Sequence, residues 1–131
     1  MDKIQLFLSA PAFAVAGASN NRNKYGNKVL RCYKQHHKTV YPLNPIQTVV
    51  EGLQCFHQVS DLPDTVDSLS IITQPSTTEK IVEQAILKGI HNIWMQPGAE
   101  SNTAIEMCLE HKINVIANGP CILVVLGFHE E

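Results

Sequence analysis

Five short apolar runs, each closed by a turn-forming residue beside an amide or hydroxyl, set the strongest constraint on how this sequence folds. Phe13-Ala14-Val15-Ala16 runs into Gly17-Ala18-Ser19-Asn20, and the run from Thr39 to Leu43 into Asn44-Pro45. Leu69 to Ile72 meets Thr73-Gln74-Pro75, Ile90 to Met95 meets Gln96-Pro97-Gly98, and Val115 to Ala117 meets Asn118-Gly119-Pro120. Between the runs the apolar spacing is helical: Val29, Leu30, Cys32 and Tyr33 in one stretch, Ile81, Val82, Ala85 and Ile86 in a second, and Ala104, Ile105, Cys108 and Leu109 in a third. Strands that are apolar on both faces and separated by amphipathic helices predict a parallel sheet with helices on both sides. The expected fold is therefore α/β, a doubly wound Rossmann-like sheet of five parallel strands. In such sheets ligands bind at the carboxyl ends of the strands, where neighbouring connections leave to opposite faces.

Other local signals refine the pattern. Asp2 to Leu8 predicts a short helix ending before Pro11, and Tyr25 to Gln35 a longer one. Pro75 suits the first turn of a helix, with Ser76 and Glu79 at capping-box spacing and Thr73 or Gln74 as alternative caps; Gly89 suits its end. His111 and Lys112 fall where cations favour the last turn of the third helix, and the stretch through Gly52, Cys55 and Phe56 predicts a short edge element. Cys121 to Phe128 is apolar but far too short for a bilayer, and reads as core packing with some contact to a second copy.

At 131 residues, the chain is expected to form a single domain over residues 1–131. Its 44% hydrophobic and 17% charged content is that of a globular protein. No membrane span or secretory leader pattern is visible, and Cys32, Cys55, Cys108 and Cys121 are too scattered for a disulfide frame or zinc site. The expected compartment is the cytoplasm. The net charge of −2 hides an asymmetry: Lys3 to Val50 holds seven Lys or Arg and no acid, whereas the acids concentrate from Glu51 onward. Such a division points to an anionic partner for the first half.

The loop after the first strand shows how an anion would be met. A phosphate at the start of the Tyr25 helix would find unpaired backbone N–H groups, with Gly17 allowing close approach and Ser19, Asn20, Arg22 and Lys24 nearby. This is not a dinucleotide fingerprint, because GxGxxG from Gly17 would need glycines where Ser19 and Arg22 stand. Nor does the second strand end on the acid that binds ribose hydroxyls in NAD enzymes; it ends on Leu43-Asn44-Pro45.

Gly17-Ala18-Ser19, Val40-Tyr41-Pro42-Leu43-Asn44-Pro45, Thr73-Gln74-Pro75, Trp94-Met95-Gln96-Pro97-Gly98 and Asn118-Gly119-Pro120-Cys121, in that order, resemble the small CoA-binding protein family. That family is similar to the N-terminal, CoA-binding domain of the succinyl-CoA synthetase alpha subunit, and the likeness runs from about Ile4 to about Val125. The resemblance implies coenzyme A or an acyl-CoA as the cofactor, bound in a cleft at the carboxyl edge. It places Gly17, Ala18, Ser19 and Asn20 along the phosphate loop, Lys24 and Tyr25 at the helix mouth, and Asn44 and Pro45 near the adenosine. Thr73, Gln74 and Pro75 would follow the pantetheine or pyrophosphate, with Gln96, Pro97, Gly98 and Asn118 closing the far side.

No catalytic group is assigned. A ligase of the succinyl-CoA synthetase type needs a phosphorylated histidine outside the part this sequence resembles; the six histidines form no helical metal-ligand pair, and no GxSxG elbow occurs. Trp94 and Met95 read as core, and Cys121 as a packed thiol that could otherwise face the CoA sulfur. The expectation is a small-molecule binder, non-catalytic alone, with no nucleic-acid or membrane partner and with a homo-oligomer open. The alternatives are an NAD(P)-binding oxidoreductase or nucleotide-sensing module, and a ligand-free regulatory or scaffold protein.

Overall fold

In the computed structural model, residues 1–130 are described. The elements run α1 (Lys3–Leu8), β1 (Ala12–Ala16), α2 (Tyr25–Gln35), β2 (Val40–Leu43), β3 (Val49–Val50), β4 (Leu53–Gln54), β5 (Val66–Ile71), α3 (Pro75–Lys88), β6 (Asn92–Met95), α4 (Asn102–Glu110) and β7 (Asn114–Ile116). Five of the strands pair in parallel in the order β2-β1-β5-β6-β7, while β3 and β4 form a small antiparallel hairpin. This is the doubly wound Rossmann-like sheet that the apolar runs predict.

Alternation along each strand divides the core into two layers. Ala14 and Ala16 of β1, Leu69 and Ile71 of β5, and Ile93 and Met95 of β6 face Val82 and Ala85 of α3 and Ala104 and Cys108 of α4. Phe13, Val15 and Trp94 point the other way, into a layer with Phe7 of α1, Val29, Leu30 and Tyr33 of α2, and Ile122. Rings dominate that second layer: Phe7 meets Trp94 edge-on at 5.3 Å and Phe13 stacks on Tyr33 at 5.0 Å. Two polar groups pointing into it are paired, Tyr33 with Ser70 at 2.6 Å and the Trp94 indole N–H with the Pro120 carbonyl at 3.1 Å. Trp94 and Met95 are core residues, as their sequence positions suggest.

Several ends differ from the sequence reading. The N-cap of α3 is Gln74, one of the two alternative caps, with Pro75 in the first turn as expected; the Ser76–Glu79 capping box does not form, since Ser76 lies inside the first turn and the Glu79 carboxylate accepts the Ser101 hydroxyl at 2.6 Å instead. Helix α4 ends at Glu110: His111 caps it, its ring Nδ1 2.9 Å from the Met107 carbonyl, and Lys112 lies past the end in a left-handed conformation. The weakly patterned stretch after β2 holds the β3–β4 hairpin, turned by Glu51 and Gly52, and Phe56 bridges to Leu43 at the sheet edge. The C-terminal apolar run forms one turn of π-helix, Leu123–Gly127; Ile122 is fully buried, whereas Val124 is 76% exposed.

Candidate functional site

Parallel pairing brings the carboxyl ends of the strands into one line. Ala16 stands opposite both Leu43 and Ile71, Ile71 opposite Met95, and Trp94 opposite Ile116. Backbone bonds carry the ladder into the loops: Gly17 N–H donates to Leu43, Ile72 N–H to Ala16 and Gln96 N–H to Ile71. β1 and β5 are neighbours, yet α2 leaves β1 toward one face and α3 leaves β5 toward the other. A crevice opens between such connections.

Two glycines let the backbones meet there. Gly17 has φ +94°, and a Cβ on it would come within 2.3 Å of the Ile72 carbonyl oxygen. A Cβ on Gly26 would lie 2.0 Å from the Gly17 carbonyl oxygen. Gly26, which the sequence reading does not single out, therefore allows close packing of α2 on the loop; its signal is a glycine in the first turn of a helix, where propensity disfavours it.

Helix caps distinguish this crevice from the other loop regions. Asp2 caps α1 by accepting Gln5 N–H at 2.8 Å, and Ser101 caps α4 by accepting Ala104 N–H at 3.2 Å. Neither α2 nor α3 has a side-chain cap. These two helices flank the crevice, so their unpaired N–H groups and positive dipole ends are open to it, an arrangement that suits an anion.

Two adjoining clefts run along the rim and share Thr73. One, of about 220 Å³, has apolar walls from Ala16, Leu43, Pro45 and Ile81, with Gly17, His57, Thr77, Lys80 and Gln84 around it. The other, of about 330 Å³, lies between Thr73-Gln74-Pro75 and Pro97-Gly98, with Ile72 and Ala99. Gly17, Pro45, Thr73, Gln74, Pro75, Pro97 and Gly98 are thus brought together on the cleft walls. His57, Thr77, Lys80, Ile81 and Gln84 join them although the sequence motifs do not point there; for the four on α3, the signal is the face of that helix next to Thr73.

The remaining positions have other surroundings. Ala18 is fully buried, and the half-buried Ser19 hydroxyl accepts Asn21 N–H at 3.0 Å. Asn20 ties the loop to the hairpin, donating to the Val49 carbonyl at 2.8 Å and accepting Glu51 N–H at 3.1 Å. Asn44 donates to the Ala18 carbonyl at 2.9 Å and accepts Ile46 N–H at 2.8 Å. Lys24 is the exposed N-cap of α2, and Asn118 is exposed at the end of β7 with φ +57°. Gln96 is fully buried; its Oε1 accepts the Tyr25 hydroxyl at 3.1 Å and Ile122 N–H at 2.9 Å, while its Nε2 has no partner.

Burial raises the Tyr25 phenol well above its ordinary range, aided by its hydrogen bond with Cys121. Burial likewise pushes Cys32 and Cys108 up to about 11 and raises Cys55, so these three buried thiols stay neutral. Cys121 is the half-buried member of the four. Among the described residues, no three His, Cys, Asp or Glu side chains gather as metal ligands, and no helix is long and apolar enough to cross a membrane.

Residues 11–127 match the model of a family described as CoA binding domain. An ADP-forming acetate–CoA ligase of Methanocaldococcus jannaschii is 27% identical over 94% of the chain, which covers 18% of that protein. The chain spans under a third of the length of the curated relatives it matches. Among solved structures, a hypothetical protein of Pyrococcus horikoshii superposes with TM-score 0.88 at 29% identity, covering 94% of this chain and 86% of that one. A dinucleotide-forming acetyl-coenzyme A synthetase of Ca. Korarchaeum cryptofilum, in complex with phosphate and ADP, superposes with TM-score 0.76 at 28% identity over 91% of this chain and 27% of its own.

Proposed function

The chain belongs to the CoA binding domain family, and from that premise we propose that it binds coenzyme A or an acyl-CoA along the carboxyl edge of the sheet, in the cytoplasm, without catalysing a reaction alone. The observation that carries this reading is the pair of uncapped helix starts on either side of the β1–β5 crevice. A pyrophosphate between them satisfies N–H groups that the protein leaves open. The adenosine lies toward β2, against the apolar walls formed by Leu43, Pro45 and Ile81. The pantetheine runs toward Pro97 and Gly98, where the cleft has no charged wall. Backbone N–H groups, amides and hydroxyls suffice to hold and orient a thioester; the cleft walls supply no carboxylate for acid–base work.

Calorimetric titration with CoA, acetyl-CoA, NADH and ADP tests the reading. Tightest binding of CoA or acetyl-CoA is expected; preference for NADH would point to an oxidoreductase or sensor, and silence across the panel to a scaffold. Gln74→Trp gives the residue-level check. Gln74 is exposed and makes no side-chain cap bond, so the fold persists while the ring fills the cleft, lowering CoA affinity at least tenfold. Unchanged affinity would place the ligand elsewhere.

A further inference from the structure

The β2-side cleft combines an apolar interior with one uncommitted cation. Lys80, one and a half turns into α3, lines it together with His57 and makes no ion pair or hydrogen bond among the described residues. Lys34 and Lys88, by contrast, are engaged, with the Glu51 carbonyl and with Asp64. His57 is already engaged by its ring: Nε2 lies 2.9 Å from the Gln47 carbonyl, an oxygen that can only accept, so this nitrogen carries the proton. No carboxylate lines the cleft to neutralise Lys80. The adjoining cleft, sharing Thr73, has no charged residue at all. A ligand lying across both thus meets a fixed positive charge at one end only, beside the walls suited to a flat base.

We infer that Lys80 is the specificity residue for the ribose phosphate: its ammonium group, at the mouth of the β2-side cleft, selects adenine ligands that carry phosphate on the ribose over those with free ribose hydroxyls. The inference rests on the CoA reading above and adds to it the reason for discrimination. An ammonium acts on phosphate as a compact point charge, and at a cleft mouth without competing acids that attraction is not spent on the protein itself.

The experiment titrates CoA and dephospho-CoA, which lacks only the ribose phosphate, into the wild type, Lys80→Met and Lys80→Arg. The methionine keeps most of the apolar stem and removes the charge. The wild type is expected to bind CoA at least tenfold more tightly than dephospho-CoA. Lys80→Met is expected to lose that preference by weakening CoA alone, with dephospho-CoA affinity unchanged, and Lys80→Arg to retain most of it. Equal binding of both ligands by the wild type, or a Lys80→Met protein that weakens both equally or neither, overturns the role of Lys80 while leaving the CoA site standing. A wild type that binds neither ligand overturns both.

Discussion

Gly26 illustrates how a single missing methyl group holds the crevice in shape. An alanine there would improve helix propensity by about 1 kcal/mol. Its Cβ, however, would sit 2.0 Å from the Gly17 carbonyl oxygen, a backbone atom that cannot rotate away. Overpacking of this kind costs about 1–3 kcal/mol, so Gly26→Ala is expected to lower the urea midpoint despite the better propensity, and to weaken ligand binding by displacing the loop. A midpoint that rises would show the loop to be free to move. Glu51 supports the same loop from below. Its carboxylate accepts Asn27 at 3.0 Å and Arg22 at 2.9 Å, and the Asn27 bond foremost, with Arg22 and Arg31 nearby, holds its pKa below the ordinary carboxylate range. A folded-state pKa below the unfolded one contributes stability that is fully present above about pH 4.3 and is lost as the pH falls through the depressed value. Glu51→Gln is therefore expected to be less stable than the wild type at neutral pH, with the gap closing on acidification. Denaturation midpoints from pH 7 down to pH 3 measure it, and a gap that widens in acid contradicts the assignment.

At the scale of elements, Gln96 is the joint. It follows β6, and its side-chain oxygen holds both Tyr25 at the start of α2 and Ile122 at the start of the C-terminal turn. Replacing it by methionine keeps the volume but leaves the buried Ile122 N–H without an acceptor, a loss worth about 1–3 kcal/mol. Gln96→Met is expected to show that destabilisation in urea with an unchanged slope, and faster hydrogen exchange at Ile122; equal exchange would mean the turn is held by its apolar contacts alone. Gln96 also marks the boundary of what the sequence makes legible. The strands and α2, α3 and α4 can be read because apolar residues recur with the periods that burial on two faces and on one stripe require. The rim residues can be read as a set because turns and open strand ends favour Gly, Pro, Asn and Ser. Which of them point outward cannot. Asn20, Asn44 and Gln96 have the same chemistry as ligand-binding amides, and only the hairpin, the β1 loop and the C-terminal turn packed beside them show that their bonds go to the protein. Lys80 and His57 are hidden for the opposite reason. They lie outside the rim motifs, and reach the cleft because α3 and the segment after β4 pass beside it.

The whole molecule divides its work between a paired core and an open edge. Inside, buried hydroxyls find partners and the strands carry apolar residues on both faces. At the carboxyl edge, two helices begin without caps around loops that pack closely through Gly17 and Gly26. At the opposite edge α3 and α4 end instead of beginning: Gly89 closes α3, and His111 caps α4 through its own backbone and ring. Ligand energy entering at one edge is transmitted to the fold by mass action. At a hundredfold excess over Kd it adds about 2.7 kcal/mol of stability, or roughly 10 °C in Tm for a chain of this size. CoA at that excess is expected to raise Tm by this amount. It is also expected to slow hydrogen exchange at residues 17–27 and 72–78, where the two helices open, while residues 110–113 exchange as before. Protection spread evenly over both edges would mean that the ligand merely stabilises the native state globally, and protection confined to residues 110–113 would put the site on the wrong side of the sheet.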